Sequence, residues 1–310
     1  MTRSIKKLLT TAAALSLTLP MMACASNDMP GTMTAADTVA APIAPASGSP
    51  GLWKLADADT TIYMFGTVHL LRSETEWMTD PVRAAIASAD QMVTEVDMAS
   101  AQQEMQAAMP LAMLESGTLR ELMSDENRAE FEAALTGLGL PVNAFDQFEP
   151  WFAALTLQSL PLMKEGFNPE AGVEAVVLEN AGEGPERLAL ETMTEQFGFF
   201  DGLPLETQLA FLDMTAEQAD EIVPMIDRIV EEWRVGDTDD LAMLVSEGMG
   251  ERAVYDALLT RRNANWAEWI DGRMDQPGTV FIAVGAAHLA GDDSVQAMLA
   301  QRGITVERVQ

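Results

Sequence analysis

Residues 62–70 read IYMFGTVHL, and residues 281–289 read FIAVGAAHL. Both stretches start as an apolar, strand-forming run and continue as Gly-x-x-His-Leu. A short apolar run that ends in glycine is typical of a buried strand that leaves its sheet through a tight turn. The two stretches therefore predict two buried strands with one layout, which arose either by duplication of a unit or by convergence on one strand-end geometry.

The segments around the first stretch predict the type of sheet. Residues 52–55 and 60–65 are strand-forming runs on either side of an Asp-rich turn, so they predict a hairpin. Asp80 is placed to cap a helix that has Pro81 in its first turn, and residues 91–97 predict a further strand. A strand, a helix and a second strand in succession are typical of a parallel sheet.

Helical periodicity fills the middle of the chain, over about residues 101–182 and 203–271. Between these stretches, residues 187–191 predict a short strand. The C-terminal part predicts a helix over residues 294–302 and a closing strand over residues 304–309. We therefore predict an α/β fold in which a mixed, partly parallel sheet is flanked by helices, with a large helical insertion in the middle of the chain.

The first 24 residues have the layout of a secretory signal peptide. Arg3, Lys6 and Lys7 precede an apolar run over residues 8–19, which is too short to span a bilayer as an ordinary helix. Cys24 is the only cysteine, and it lies where a lipoprotein signal places its acylated thiol. Ordinary signal cleavage is the alternative. We expect an exported protein, either periplasmic or an outer-membrane (cell-envelope) lipoprotein held at the membrane by a lipid on Cys24.

Composition separates a linker from a single domain. Residues 25–50 are rich in Ala, Pro, Ser and Gly, which predicts a disordered linker and leaves residues 51–310 as one domain. The chain has 18 Lys and Arg against 48 Asp and Glu, a formal net charge of −30. With no basic stripe to bind phosphates, the sequence excludes nucleic acid as a partner. Most of the carboxylates are expected on solvated helix faces.

The candidate site consists of residues that follow predicted strands. His69 and His288 are the only histidines, and Glu95 and Glu191 also lie at predicted strand ends. Residues just past the carboxyl ends of parallel strands converge on the ligand crevice of such a sheet. Two imidazoles with one or two carboxylates suit Zn, Mn, Co or Fe, with a position open for water. The alternative is that each histidine only satisfies a backbone group.

Other catalytic patterns are absent from the sequence. It contains no H-E-x-x-H, no G-x-S-x-G, no phosphate-binding glycine loop and no dinucleotide fingerprint. A nucleophilic triad based on either histidine would need a Ser or Thr that the sequence does not single out. Trp151 and Trp266 are interpreted as packing residues, and the 21 methionines as core residues.

The quoted motifs resemble those of the TraB/GumN family over about residues 51–310. Residues 52–97, with LWKL, IYMFGTVHLL and VTEVD, resemble its N-terminal block. Residues 168–174 (NPEAGVE) and 190–192 (LET) are similar to weaker middle blocks. Residues 262–266 (RNANW) and 284–295 (VGAAHLAGDDSV) are similar to its C-terminal block.

This resemblance implies a metal-dependent hydrolase, because the family is related to TIKI proteins, which resemble metalloproteases with two G-x-x-H motifs and a glutamate. It implies that His69, His288 and Glu95 hold a divalent metal ion. Arg262 is a fourth motif position that stabilises an oxyanion, orients Glu95 or only caps a helix. The implied reaction is attack of metal-activated water on an amide carbonyl of an envelope peptide, with Glu191 or Glu95 as base. The alternative is a peptide- or metal-sequestering envelope protein without turnover.

Overall fold

The computed structural model of the protein describes residues 48–249 and 252–310. The predicted signal peptide, Cys24 and almost all of the predicted linker lie outside the described residues. The strands are β1 (Leu52–Ala56), β2 (Thr60–Thr67), β3 (Leu71–Arg72), β4 (Gln91–Thr94), β5 (Phe167–Asn168), β6 (Glu186–Ala189), β7 (Gly278–Gly285) and β8 (Glu307–Arg308). The helices are α1 (Asp80–Ala87), α2 (Ala101–Ala108), α3 (Leu119–Leu122), α4 (Asp125–Gly137), α5 (Pro150–Lys164), α6 (Val173–Ala181), α7 (Met193–Asp201), α8 (Leu205–Glu217), α9 (Ile222–Val235), α10 (Thr238–Met249), α11 (Arg252–Tyr255), α12 (Arg261–Arg273) and α13 (Val295–Gln301).

Within the described residues, six strands form the main sheet in the order β6-β4-β7-β2-β1-β8. Four strands, β6, β4, β7 and β2, run parallel to one another, whereas β1 is antiparallel to both β2 and β8. The predicted mixed, partly parallel sheet is therefore confirmed. In the pairing of β2 with β7, Thr67 lies opposite Gly285, so both G-x-x-H motifs leave the sheet side by side at the same edge.

Alternation along β7 divides the core into two layers. Val280, Ile282 and Val284 face a cluster that includes Trp266 of α12, and they are fully buried. Phe281 and Ala283 belong to the larger cluster on the other face, which contains the helical insertion. A strand buried on both faces needs a continuous apolar run, and that is why the sequence around β7 shows no polar alternation.

The predicted helical insertion in the middle of the chain is confirmed. Helices α2 to α5 lie between β4 and β5, and helices α7 to α12 lie between β6 and β7. Helix α5 packs against α8, and Trp151 of α5 stacks on Phe200 of α7 with ring centroids 5.3 Å apart. None of the helices in the described residues is both long enough and apolar enough to cross a membrane.

Several predicted boundaries were wrong by a few residues. The closing strand, predicted over residues 304–309, covers only Glu307 and Arg308, which pair with β1. The strand predicted over residues 91–97 ends at Thr94, and the one predicted over residues 187–191 ends at Ala189. Beyond these ends the two segments stay bonded to each other, since the N–H groups of Leu190 and Glu191 donate to the carbonyls of Thr94 and Glu95.

Two further details were not predicted correctly. The residue that precedes α1 as its N-cap is Thr79, and Asp80 is already in the first turn. Strands β3 and β5 form a two-residue antiparallel pair that the sequence did not predict, with Leu71 opposite Asn168. Isolated pairs of two residues have too few side chains to show a period of two.

Candidate active site

The five residues that the sequence predicts for the site lie in or beside one buried cluster. His69 follows β2, Glu95 follows β4, and Glu191 follows β6, while His288 lies in a 3-10 turn after β7. Arg262 lies on α12 and reaches the same edge of the sheet. All five side chains are buried. The parallel register of β6, β4, β7 and β2 explains why residues so distant in sequence meet.

Arg262 is the centre of the cluster, with only 1% of its surface exposed. Its Nη2 donates to Glu95 Oε2 at 2.6 Å and to Glu191 Oε2 at 2.8 Å, and its Nη1 donates to the Leu258 carbonyl at 3.1 Å. Burial lowers the pKa of Arg262, but the charges of the two glutamates outweigh it and raise the pKa above its ordinary value. A buried guanidinium is tolerated only with such partners.

His288 is held as a neutral imidazole. Its Nε2 lies 3.1 Å from Nη1 of Arg262, which can only donate, so Nε2 accepts and the ring proton is on Nδ1. Nδ1 donates to Asn263 Oδ1 at 2.5 Å, and the Asn263 amide is fixed in turn by its bond to the Asp293 carbonyl. Burial, followed by the positive charges of Arg262 and His69, lowers the pKa of His288 well below 6.5.

His69 has a carboxylate partner on one side of its ring only. Its Nδ1 forms an ion pair with Glu174 Oε1, a close charge contact rather than a well-aligned hydrogen bond. Thr67 Oγ1 donates to the same Glu174 oxygen at 2.5 Å. Burial lowers the pKa of His69, but the Glu174 carboxylate outweighs it and raises this pKa to about 9. Burial raises the pKa of Glu174, but His69 outweighs it, so the net shift of this pKa is downward.

The two remaining glutamates differ in how fully their oxygens are used. Both oxygens of Glu191 accept hydrogen bonds, from Arg262, from Trp266 Nε1 at 2.9 Å and from Gln196 Nε2 at 3.2 Å. Burial raises the pKa of Glu191, although Arg262 opposes this shift. Glu95 Oε2 accepts from Arg262 and from Gln196, while Oε1 accepts from the Gly285 backbone N–H at 2.7 Å. Glu95 Oε1 therefore keeps a free lone pair.

A small cavity lies beside these groups, and the space in it that is open to the centre of a water-sized molecule is about 10 Å³. His69, Glu95, Glu174 and Gln196 line it, whereas Arg262 and Glu191 do not. Nε2 of His69 has no hydrogen-bond partner among the described residues, and only 8% of the surface of His69 is exposed. A buried ring nitrogen without a partner beside a cavity is a position where a bound molecule is expected.

Sequence reasoning missed several members of the cluster. Glu174 lies in NPEAGVE, the stretch quoted only for its resemblance, and it reaches His69 from α6. Thr67 is inside the first G-x-x-H motif, and Asn263 follows Arg262 directly, so both were within quoted stretches. Gln196 had no motif to mark it.

Two earlier interpretations change with the structure. Trp266 does pack, with its ring 4.2 Å from that of His288, but it also donates a hydrogen bond to Glu191. Neither histidine is explained as a cap for a backbone group, because the partners of both rings are side chains.

His69, His288 and Glu95 do not form a ready metal-ligand set in this arrangement. His288 Nε2 is bonded to Arg262, and both oxygens of Glu95 accept hydrogen bonds, so only His69 offers a free nitrogen. Among the described residues, the ligand atoms that all lie within 4.8 Å of one another belong to Glu232, Asp237 and Asp240. That acidic group is partly explained by capping, since Asp237 accepts from the Asp240 backbone N–H at the start of α10.

The fold and the cluster define an α/β protein with a buried His, Glu and Arg site at the carboxyl ends of its parallel strands. The chain belongs to the TraB/PrgY/gumN family, whose sequence model matches residues 51–308. It is similar to the uncharacterized protein YbaP of Escherichia coli (strain K12), with 23% identity over 239 residues, 76% of this chain and 87% of that protein. YbaP of Shigella flexneri shows the same identity and coverage. No solved structure matches the chain.

Proposed function

We propose that this protein is a hydrolase that cleaves amide bonds of peptides in the cell envelope, with the cavity beside His69 as its active site. The observation that supports this most strongly is the buried His69 ring, whose Nε2 is free while its Nδ1 is paired with Glu174. A histidine held by a carboxylate on one side and open to a cavity on the other is suited to proton transfer to or from a bound molecule. The peptide substrate and the envelope location follow from the family resemblance and the N-terminal sequence.

Glu95 is the group that accepts a proton from water in this proposal. It lines the cavity, whereas Glu191 lies outside the cavity lining and both its oxygens are engaged. Of the two bases that the sequence left open, the geometry therefore favours Glu95. Water gives a proton to Glu95 as its oxygen attacks the carbonyl carbon.

His69 is the proton donor in this proposal. Its pKa of about 9 keeps the ring protonated at neutral pH, so it can give a proton to the leaving amide nitrogen as the carbon–nitrogen bond breaks. Glu95 then gives up the proton that it took from water. A proton from solvent returns to His69, so both groups regain their starting states. Arg262 acts as a positioning residue, because it holds Glu95 Oε2 through a hydrogen bond without lining the cavity.

The family resemblance also implies a divalent metal ion at this site, and the proposal includes it on that ground. His69, Glu95 and His288 are the residues that would hold it, and it would supply a bound water of lowered pKa. In the described arrangement Arg262 is bonded to His288 Nε2 and to Glu95 Oε2, so these three residues do not fit such an ion unless the guanidinium moves. The steps above therefore use only the side chains of the chain.

The test is cleavage of a peptide library by the purified protein, followed by mass spectrometry. Wild type is compared with His69→Gln, Glu95→Gln and the control Glu206→Gln, an exposed carboxylate on α8. We expect cleavage by wild type and the control, and at least a hundredfold lower rate in both site variants. Each protein is assayed after chelation and after addition of Mn²⁺, Co²⁺ or Zn²⁺, at pH 7 and pH 9.

Each outcome decides one part of the proposal. Cleavage by wild-type protein after chelation supports the steps that use no metal. Cleavage that occurs only with added metal would mean that the Arg262 guanidinium moves and a metal ion binds in its place. Peptide binding without cleavage under all conditions would replace the hydrolase by the sequestering alternative. Equal cleavage by wild type and His69→Gln would place the active site elsewhere.

A further inference from the structure

We infer that the cavity beside His69 binds a primary ammonium group of the substrate. This inference rests on the proposed hydrolase function and adds the substrate class that the site selects. The shared chemistry is R–NH₃⁺, which a peptide supplies from its N-terminus or from a lysine side chain.

The first argument is the balance of charge inside the cluster. Its carboxylates are Glu95, Glu174 and Glu191, and its cations are Arg262 and, when protonated, His69. Three carboxylates against two cations leave a negative charge in excess. A neutral His69 would increase that excess, so the conclusion does not depend on the protonation state of the ring.

The second argument is which of these charges a bound molecule meets. Glu95 and Glu174 line the cavity with His69, while Arg262 is covered and lies outside the lining. Buried charges act in a low-dielectric surrounding, where attraction and repulsion are stronger than in water. A carboxylate from a substrate would therefore be repelled by the lining glutamates, and an ammonium would be attracted.

The third argument is that the wall provides acceptors and an apolar surface together. The carboxylates of Glu95 and Glu174 are the acceptors that this wall offers to an ammonium. Val96 and Met98 also line the cavity. These two side chains offer an apolar surface to the carbon atoms next to the nitrogen, as aliphatic stems of amines require.

The charge of the whole chain acts in the same direction. The formal net charge of −30 attracts cations over long distances and raises their encounter rate, and added salt weakens this effect. The long-range charge alone would select cations without any site. The experiment must therefore separate the cavity from the general acidic surface.

The test uses three matched peptide sets. The first lacks Lys and Arg and has free N-termini, the second is the same set with acetylated N-termini, and the third is acetylated but carries one lysine. We expect kcat/KM for one of the two amine-bearing sets to exceed that of the fully blocked set at least tenfold. The preference should persist at 0.5 M salt, where the long-range attraction is screened. Glu206→Gln should keep the ratio unchanged, because its carboxylate is exposed on α8.

Binding of the same peptides, measured by calorimetry, separates this inference from the hydrolase proposal. Equal cleavage of all three sets would overturn the ammonium site and leave the hydrolase standing. Amine-dependent binding without cleavage, lost in Glu95→Gln, would support the ammonium site and remove the hydrolase. An absence of both cleavage and amine-dependent binding would overturn both.

Discussion

His69 is buried and charged at once, and the surrounding residues explain how this is possible. Transfer of an imidazolium from water into a protein interior is costly unless a partner compensates for lost solvation. Glu174 supplies the opposite charge, and Thr67 holds that carboxylate in place through a hydrogen bond. Because the pKa of His69 is raised from 6.5 to about 9 by folding, the pair stabilises the fold fully below about pH 6.5, and this contribution is lost as the pH rises through about 9.

The same shift predicts the pH dependence of the reaction. If protonated His69 gives its proton to the leaving group, kcat/KM should fall as the pH rises from 7 to 10, with a midpoint near the pKa of about 9. A pH profile of peptide cleavage by wild type measures this directly. A rate that instead rises through pH 9 would make His69 the base and would reverse the roles given to His69 and Glu95.

Removal of Arg262 should destabilise the protein because it leaves two buried carboxylates without their cation. We expect Arg262→Ala to lower the free energy of unfolding at pH 7 by about 3–5 kcal/mol, the usual cost of breaking a buried ion pair on one side. The loss should shrink as the pH is lowered toward 5, because burial raises the pKa of Glu191 and its protonation removes one of the two uncompensated charges. Denaturant unfolding at both pH values measures the difference.

Arg261→Ala is the matched control, since Arg261 is the exposed neighbour on the same helix. It should change the free energy of unfolding by less than about 0.5 kcal/mol. A similar small change in Arg262→Ala would contradict the network that we describe around the guanidinium.

Strands β2, β4 and β7 could be predicted from the sequence because continuous apolar runs are buried on both faces of a parallel sheet. The positions of His69 and His288 followed from these strands, since parallel strands end at the same edge. The partners of each side chain could not be predicted in the same way. The contact of His69 with Glu174 depends on α6, whose start is held beside the first motif by the bond from the Val173 N–H to the Val68 carbonyl, a contact between residues distant in sequence. The bonds of Arg262 depend on how α12 packs on the sheet, which no local motif specifies.

The approach of α6 to the first G-x-x-H motif depends on Gly172. A Cβ atom there would lie 2.2 Å from the His69 carbonyl oxygen, so the start of α6 could not stay where the Val173 N–H donates to the Val68 carbonyl. We expect Gly172→Ala to lower the free energy of unfolding by about 2 kcal/mol or more and to reduce activity, because Glu174 moves with the helix.

Gly184→Ala is the control for this substitution. A Cβ atom at Gly184 would meet no atom within 4 Å, and the residue is exposed in the turn before β6. Its effect on thermal and denaturant unfolding should be close to zero. If both variants unfold alike and both keep full activity, the close packing at Gly172 does not position Glu174.

The whole molecule is a strongly acidic α/β domain that belongs to the TraB/PrgY/gumN family. Its formal net charge of −30 attracts cations over long distances. Export and lipid attachment remain predictions from the first 24 residues, which lie outside the described part of the structure.

Cys24→Ser should release the protein from membranes into the soluble envelope fraction if Cys24 is acylated, because a thioether-linked lipid provides the attachment. Cell fractionation with an antibody against the protein measures this. Unchanged soluble localisation of wild type and variant would indicate ordinary signal cleavage, and full-length protein in the cytoplasm would contradict export altogether.

The chain contains two histidines, so ring nitrogen NMR tests the central claim of a buried site with two different imidazoles. His69→Gln assigns the two sets of ¹⁵N signals in a protein without a histidine tag. We predict that His69 is protonated on both ring nitrogens at pH 7 and titrates near pH 9, while His288 stays neutral with its proton on Nδ1 to well below pH 6.5. Two rings that both titrate near pH 6.5 would contradict the account, because they would then be free of Glu174 and Arg262.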